Sequence, residues 1–287
     1  MREILKEGKL TPGYAGKVRG ACLWVQSNLF EASGKTALQP LTDRQYCKDT
    51  KTKDFELSKI LENSIKELIE IISRSIPRYL KPRRPPGSHL CVYTDGCQDR
   101  GALGGIGGLI LGKTMTHGAW WGGTVPSYIK ELWWPEVNPN IKRNNPEMKA
   151  RVGNIINIEL YAVYASIRAW SSIMKNQRIV FFIDNFSAWA MLCKSSANED
   201  DTLILIRSIQ QIIEAYHIGA WFEWIESDAN AGDGPSRWDS RPDSRASIVE
   251  LMNRLNVKRC SIRCEKYTDR HHKKIVEEGR RELPTSG

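Results

Sequence analysis

The stretch Leu90-Cys91-Val92-Tyr93-Thr94-Asp95-Gly96 closes an apolar run with a carboxylate and a glycine. From His89 to Gln98 the residues lack the i, i+3, i+4 spacing of a helix and include β-branched and aromatic side chains. A buried strand is therefore predicted there, with Asp95 near its end. The same design returns downstream in Val180-Phe181-Phe182-Ile183-Asp184-Asn185, where a strand is predicted over 178–184. Between the two, Gly104 to Leu111 and Thr116 to Thr124 read as further strands of an antiparallel meander. The glycines of 101–112 lack the order of a phosphate-binding loop and point to a strand turn with close backbone packing.

Beyond these strands the period changes to that of helices. Asn157 to Lys175 is predicted helical, as are Phe186 to Cys193 and Asp201 to Tyr216, and a last strand is expected over Ala220 to Glu226. Three strands, helix, strand, helices, strand predicts an α/β fold: a mixed five-stranded sheet flanked by helices. The N-terminal part is different. Thr11 and Pro12 can open a helix from about Tyr14 to Leu29, and Leu57, Ile60, Leu61, Ile65, Leu68, Ile69, Ile72 and Ile76 repeat helical spacing over 54–76. The run Lys81-Pro82-Arg83-Arg84-Pro85-Pro86-Gly87 then reads as a stiff basic linker. The expected organisation is a helical region over 1–80, a linker over 81–88, an α/β domain over 89–240 and a basic extension over 241–287.

Asp95 and Asp184 each follow an apolar run and sit at or near the end of a buried strand, and Glu159 lies early in a helix whose neighbours are mostly apolar. A fourth acid follows the last strand, either Asp228 or Asp233. An Asp before Gly or Asn alone most often forms a turn. Four acids in this order match what two-metal phosphodiester chemistry needs, namely hard oxygen ligands at adjacent strand ends holding two Mg²⁺ about 4 Å apart.

Residues 89–240 resemble the ribonuclease H domain of retroelement reverse transcriptases. Tyr93-Thr94-Asp95-Gly96, Ile158-Glu159-Leu160-Tyr161-Ala162 and Phe182-Ile183-Asp184-Asn185 stand in that family's order. Asn230-Ala231-Gly232-Asp233-Gly234-Pro235-Ser236-Arg237 is similar to the Asn-Pro-Ala-Asp-x-Pro-Ser-Arg ending of tyrosine-recombinase elements, with Ala-Gly in place of Pro-Ala. Leu10-Thr11-Pro12-Gly13 and Leu38-Gln39-Pro40-Leu41 look like part of the connection region that precedes this domain in the same elements. The resemblance implies that Asp95, Glu159, Asp184 and Asp233 bind two Mg²⁺, or Mn²⁺ as a substitute. It implies an endonuclease acting on the RNA strand of RNA–DNA hybrids. A competing reading is a domesticated, non-catalytic subunit that binds RNA or protein in a large ribonucleoprotein such as an organellar ribosome.

Charge fits either reading. The chain has 287 residues and a net charge of +9. Residues 1–90 hold 17 Lys and Arg against 10 Asp and Glu, residues 91–240 hold 13 against 16, and residues 241–287 hold 12 against 7. Basic flanks around an acidic centre suit a protein that neutralises phosphates while keeping carboxylates for metal. Arg83, Arg84, Lys130 and Arg237 are the candidate phosphate contacts, and RNA–DNA hybrid or structured RNA the expected partner. Trp120, Trp121, Trp133 and Trp134 are expected to fill core or contact a partner rather than stack on bases. No apolar stretch of about 18 residues occurs, so no membrane partner is expected. Seven scattered cysteines point to reduced thiols and an intracellular location, nuclear or cytoplasmic, or mitochondrial if the chain is domesticated.

Overall fold

The computed structural model describes residues 1–27, 34–48, 53–74, 90–98, 104–112, 118–129, 154–264 and 270–281. The chain divides into two compact units, Met1–Pro82 and Arg83–Gly287. The predicted linker lies outside the described residues.

The first unit contains α1 (Arg2–Glu7), α2 (Pro12–Ser27), α3 (Lys35–Gln45) and α4 (Lys59–Arg74). Pro12 starts α2 where its missing N–H costs nothing. The Ser58 hydroxyl accepts from the Leu61 amide at 3.2 Å and caps α4. The apolar stripe of α4 buries Leu61, Ile65 and Leu68 against Ile4, Leu10, Ala15, Leu38 and Leu41. Arg44 is buried, donating to the Leu10 carbonyl at 3.0 Å and the Glu56 carbonyl at 2.8 Å.

The second unit is built on β1 (Leu90–Cys97), β2 (Gly105–Gly112), β3 (Gly118–Thr124), β4 (Arg178–Ile183), β5 (Gly219–Trp224) and β6 (Val257–Arg259). The strand order is β5-β4-β1-β2-β3-β6. β1, β2 and β3 form the antiparallel meander, and β4 and β5 add parallel to β1. The helices are α5 (Asn154–Met174), α6 (Phe186–Lys194), α7 (Asp200–Ala215), α8 (Asp233–Ser236), α9 (Arg245–Arg254) and α10 (Arg270–Arg281). This is a mixed α/β fold, one sheet flanked by helices.

Alternation explains the layers. On β1, Leu90 and Val92 are buried towards α5, whose own residues Ile158, Leu160, Tyr161, Val163 and Tyr164 are almost all buried. From Asn157 to Ile167 every residue of α5 is buried, so this part of the helix is covered on all sides, and α7 lies against it. The alternate residues of β1 face the other way, where α8 packs on β1, β2 and β3. There Leu109, Trp120, Ile248, Met252 and Val257 form a smaller core. Trp120 and Trp121 are both buried, as core residues; Trp133 and Trp134 lie outside the described residues.

The five-stranded expectation is corrected to six strands among the described residues. β6 pairs parallel with β3 through Gly118–Val257, Ala119–Lys258 and Trp120–Arg259. It buries Val257 alone, with two exposed basic residues after it. Three residues with one apolar position carry no readable period, so this strand is fixed by tertiary pairing. Residues 241–287 thus supply α9, β6 and α10, and Val276 of α10 enters the main core.

Candidate metal centre

Three carboxylates arrive from three elements. Asp95 projects from β1, and the β1–β4 register pairs Tyr93 with Phe182, whose rings stack at 4.7 Å. Continuing that register by two residues brings Asp184, just past β4, beside Asp95 on the same face. Glu159 comes from the first turns of α5, in the other layer. It reaches the pair because Gly96 has no side chain: a Cβ there would stand 2.7 Å from the Glu159 amide nitrogen and 2.8 Å from Ile158. The glycine of the Asp-Gly pair is thus a close-approach residue, not a turn former.

One oxygen from each of Asp95, Glu159 and Asp184 lies within 4.8 Å of the others. Asp95 and Glu159 are buried and Asp184 half-buried. Glu159 Oε2 and Asp184 Oδ1 are buried with no hydrogen-bond partner among the described residues. Buried carboxylate oxygens are rarely left unpaired without a reason. Burial pushes the Asp95 carboxyl up to about 6, helped by the charges of Asp184 and Asp233 and opposed by the Ser236 hydroxyl and by Arg237. Burial, with Asp95 and Asp184 adding to it, holds Glu159 well above the ordinary carboxylate range. Three hard oxygens converging in a site that disfavours their own charge is a donor set for a divalent cation.

Asp184 is fixed from both sides. Its carbonyl accepts from the Trp224 indole N–H at 2.8 Å. The next residue, Asn185, caps α6 by accepting from the Ala188 amide at 3.0 Å.

The segment after β5 is pinned across β1. Asn230 donates to the Thr94 carbonyl at 3.0 Å and accepts from the Gly232 amide at 2.9 Å. Pro235 and Ser236 are buried against β2, where a Cβ on Gly107, the residue paired with Asp95, would meet the Ser236 nitrogen at 2.3 Å. The Ser236 hydroxyl donates to Asp95 Oδ2. Asp233, at the start of α8, is not one of the three converging acids. Its Oδ1 accepts from Arg237 Nε at 2.8 Å and Nη2 at 2.5 Å. Its charge nonetheless acts on Asp95, whereas Asp228 is exposed in a short turn over Ser227–Ala229. The Arg237 guanidinium is committed to Asp233. Arg83, Arg84 and Lys130 lie outside the described residues. Sequence reasoning assigned no role to Ser236, Asn230 or Trp224; the first two stood within the quoted ending, but no local signal separates them from ordinary turn residues.

No protein-family model matches the chain, and no curated protein matches it. Among solved structures the chain is similar to the N-terminal RNase H domain of a Mycobacterium tuberculosis protein, solved as a fusion with maltose-binding protein. The two are 10% identical, the match covers 56% of this chain and 99% of that one, and the TM-score is 0.36. The fold class rests on the sheet itself, an antiparallel β1-β2-β3 meander extended by parallel β4 and β5 with α5 behind β1. The acids gather where β1, β4 and α5 meet.

Proposed function

We propose that this chain is a Mg²⁺-dependent two-metal endonuclease that cuts the RNA strand of RNA–DNA hybrids, derived from a retroelement reverse transcriptase. The observation that carries the reading is the convergence of Asp95, Glu159 and Asp184, with two buried carboxylate oxygens left unpartnered among the described residues. Those three residues would hold the metal, with Asp233 as the fourth ligand once released from Arg237. Bound there, Mg²⁺ or Mn²⁺ would supply an activated water and charge neutralisation at the leaving oxygen. The chain's own contribution is to hold the carboxylates in register and to keep the floor of the site dry. The retroelement origin is supported by the Tyr-Thr-Asp-Gly, Ile-Glu-Leu and Asp-x-Pro-Ser-Arg segments. Discrimination of RNA from DNA falls to contacts with the 2′-hydroxyl, and Arg83, Arg84, Lys130 and Arg237 are the proposed phosphate contacts.

The test is cleavage of a labelled RNA–DNA hybrid by the full chain with Mg²⁺. Asp95→Asn and Asp184→Asn should each lower cutting by more than about 100-fold, beyond what loss of an outer-shell partner costs, with hybrid binding retained. Tight, salt-sensitive binding without cutting by the wild type would overturn the nuclease and favour the ribonucleoprotein scaffold.

A further inference from the structure

Ser236 sits at the end of α8, fully buried, 141 residues from the acid it touches. Its hydroxyl has one proton and two acceptors in reach, Asp95 Oδ2 and the Asp233 carbonyl at 2.9 Å. A hydroxyl donates to one acceptor at a time, and a carboxylate makes the stronger bond. The segment that carries Ser236 is anchored independently of that bond. Asn230 ties it to the Thr94 carbonyl, one residue before Asp95, and the Cys97 thiol, two residues after Asp95, donates to the Ser236 carbonyl at 3.4 Å. Gly105 and Gly107 remove the side chains that would hold it off the sheet. Ser236 and Asp95 are therefore built to a fixed separation, and one of the two Asp95 oxygens is engaged from behind.

We propose that Ser236 is a positioning residue for Asp95, holding Oδ2 so that Oδ1 is presented to the divalent cation; the inference rests on the metal-centre reading given above. Partners of this kind fix a ligand's orientation, and their loss typically costs about 10- to 100-fold in metal affinity. A serine that merely satisfied its own hydroxyl through the Asp233 carbonyl would leave metal affinity unchanged when removed.

The experiment is calorimetric titration of the full chain with Mn²⁺, without nucleic acid, alongside thermal unfolding of the metal-free protein. Ser236→Ala should weaken Mn²⁺ binding by about 10-fold or more. Ser236→Cys, nearly isosteric with a weak donor, should fall between alanine and wild type, and it replaces the alanine variant should that chain not fold. Equal Mn²⁺ affinity in wild type and the Ser236 variants would overturn the positioning role while leaving the metal centre intact. No Mn²⁺ binding by the wild type would overturn the metal centre and this inference with it.

Discussion

Asp95 concentrates the tension of the site in one carboxyl group. Burial beside Asp184 and Asp233 lifts it from the ordinary 3.8 to about 6. Below about pH 4 folded and unfolded chains both hold the proton. Between about 4 and 6 the folded chain keeps it while the unfolded chain releases it, so stability falls as pH rises and the loss is complete above the folded value. Two units correspond to on the order of 3 kcal/mol, and Glu159 shifts in the same direction. In EDTA the wild type should therefore lose more unfolding temperature between pH 4 and 7 than Asp95→Asn, and Mg²⁺ should restore it at pH 7. Parallel profiles for the two proteins would refute the assignment. Asp95 and Asp184 were legible in the sequence because each follows an apolar run at or near the end of a strand. Ser236 was not, because its role depends on a contact made only after the chain has crossed four strands.

At the scale of elements, the site exists because α5 comes unusually close to β1. Gly96 permits that approach, since a methyl group there would overlap the Glu159 nitrogen and Ile158. Gly96→Ala forces the helix outward, with the cost of about 1–3 kcal/mol that overpacking carries. Chemical denaturation should show that loss, and Mn²⁺ titration should show a weaker site because Glu159 moves with its helix. A variant with wild-type stability and affinity would mean that α5 yields at no cost. The strands and long helices were legible because their periods are strong: Ile179, Phe181 and Ile183 alternate with half-buried Arg178, Val180 and Phe182. β6 was not legible, since the exposed Lys258 and Arg259 give it no apolar period. The side chain of Arg259 lies over Trp238 at 4.1 Å and over Trp120, its partner on β3, at 5.5 Å.

Across the whole second unit, the question is where the folding unit stops. Sequence pattern places the end of the α/β domain near residue 240, because the basic composition after it hides scattered apolar positions. Ile248 and Met252 of α9 and Val257 of β6 cover Leu109 and Trp120 on one face of the sheet. Val276 joins the main core on the other, and Gly279 of α10 fits against Tyr216 where a Cβ would stand 2.6 Å away. Full burial of each such side chain contributes roughly 1.5–3 kcal/mol, so the four together approach the 5–15 kcal/mol by which a domain is stable at all. A chain stopped after Ser240 should therefore fail to fold cooperatively, although it retains every proposed metal ligand. Circular dichroism during urea unfolding, with dye binding to exposed apolar surface, distinguishes the outcomes. A sigmoidal transition at the wild-type midpoint would show that the basic extension is dispensable to the sheet. Loss of that transition would mean that the acids are held in place by residues far beyond them in sequence.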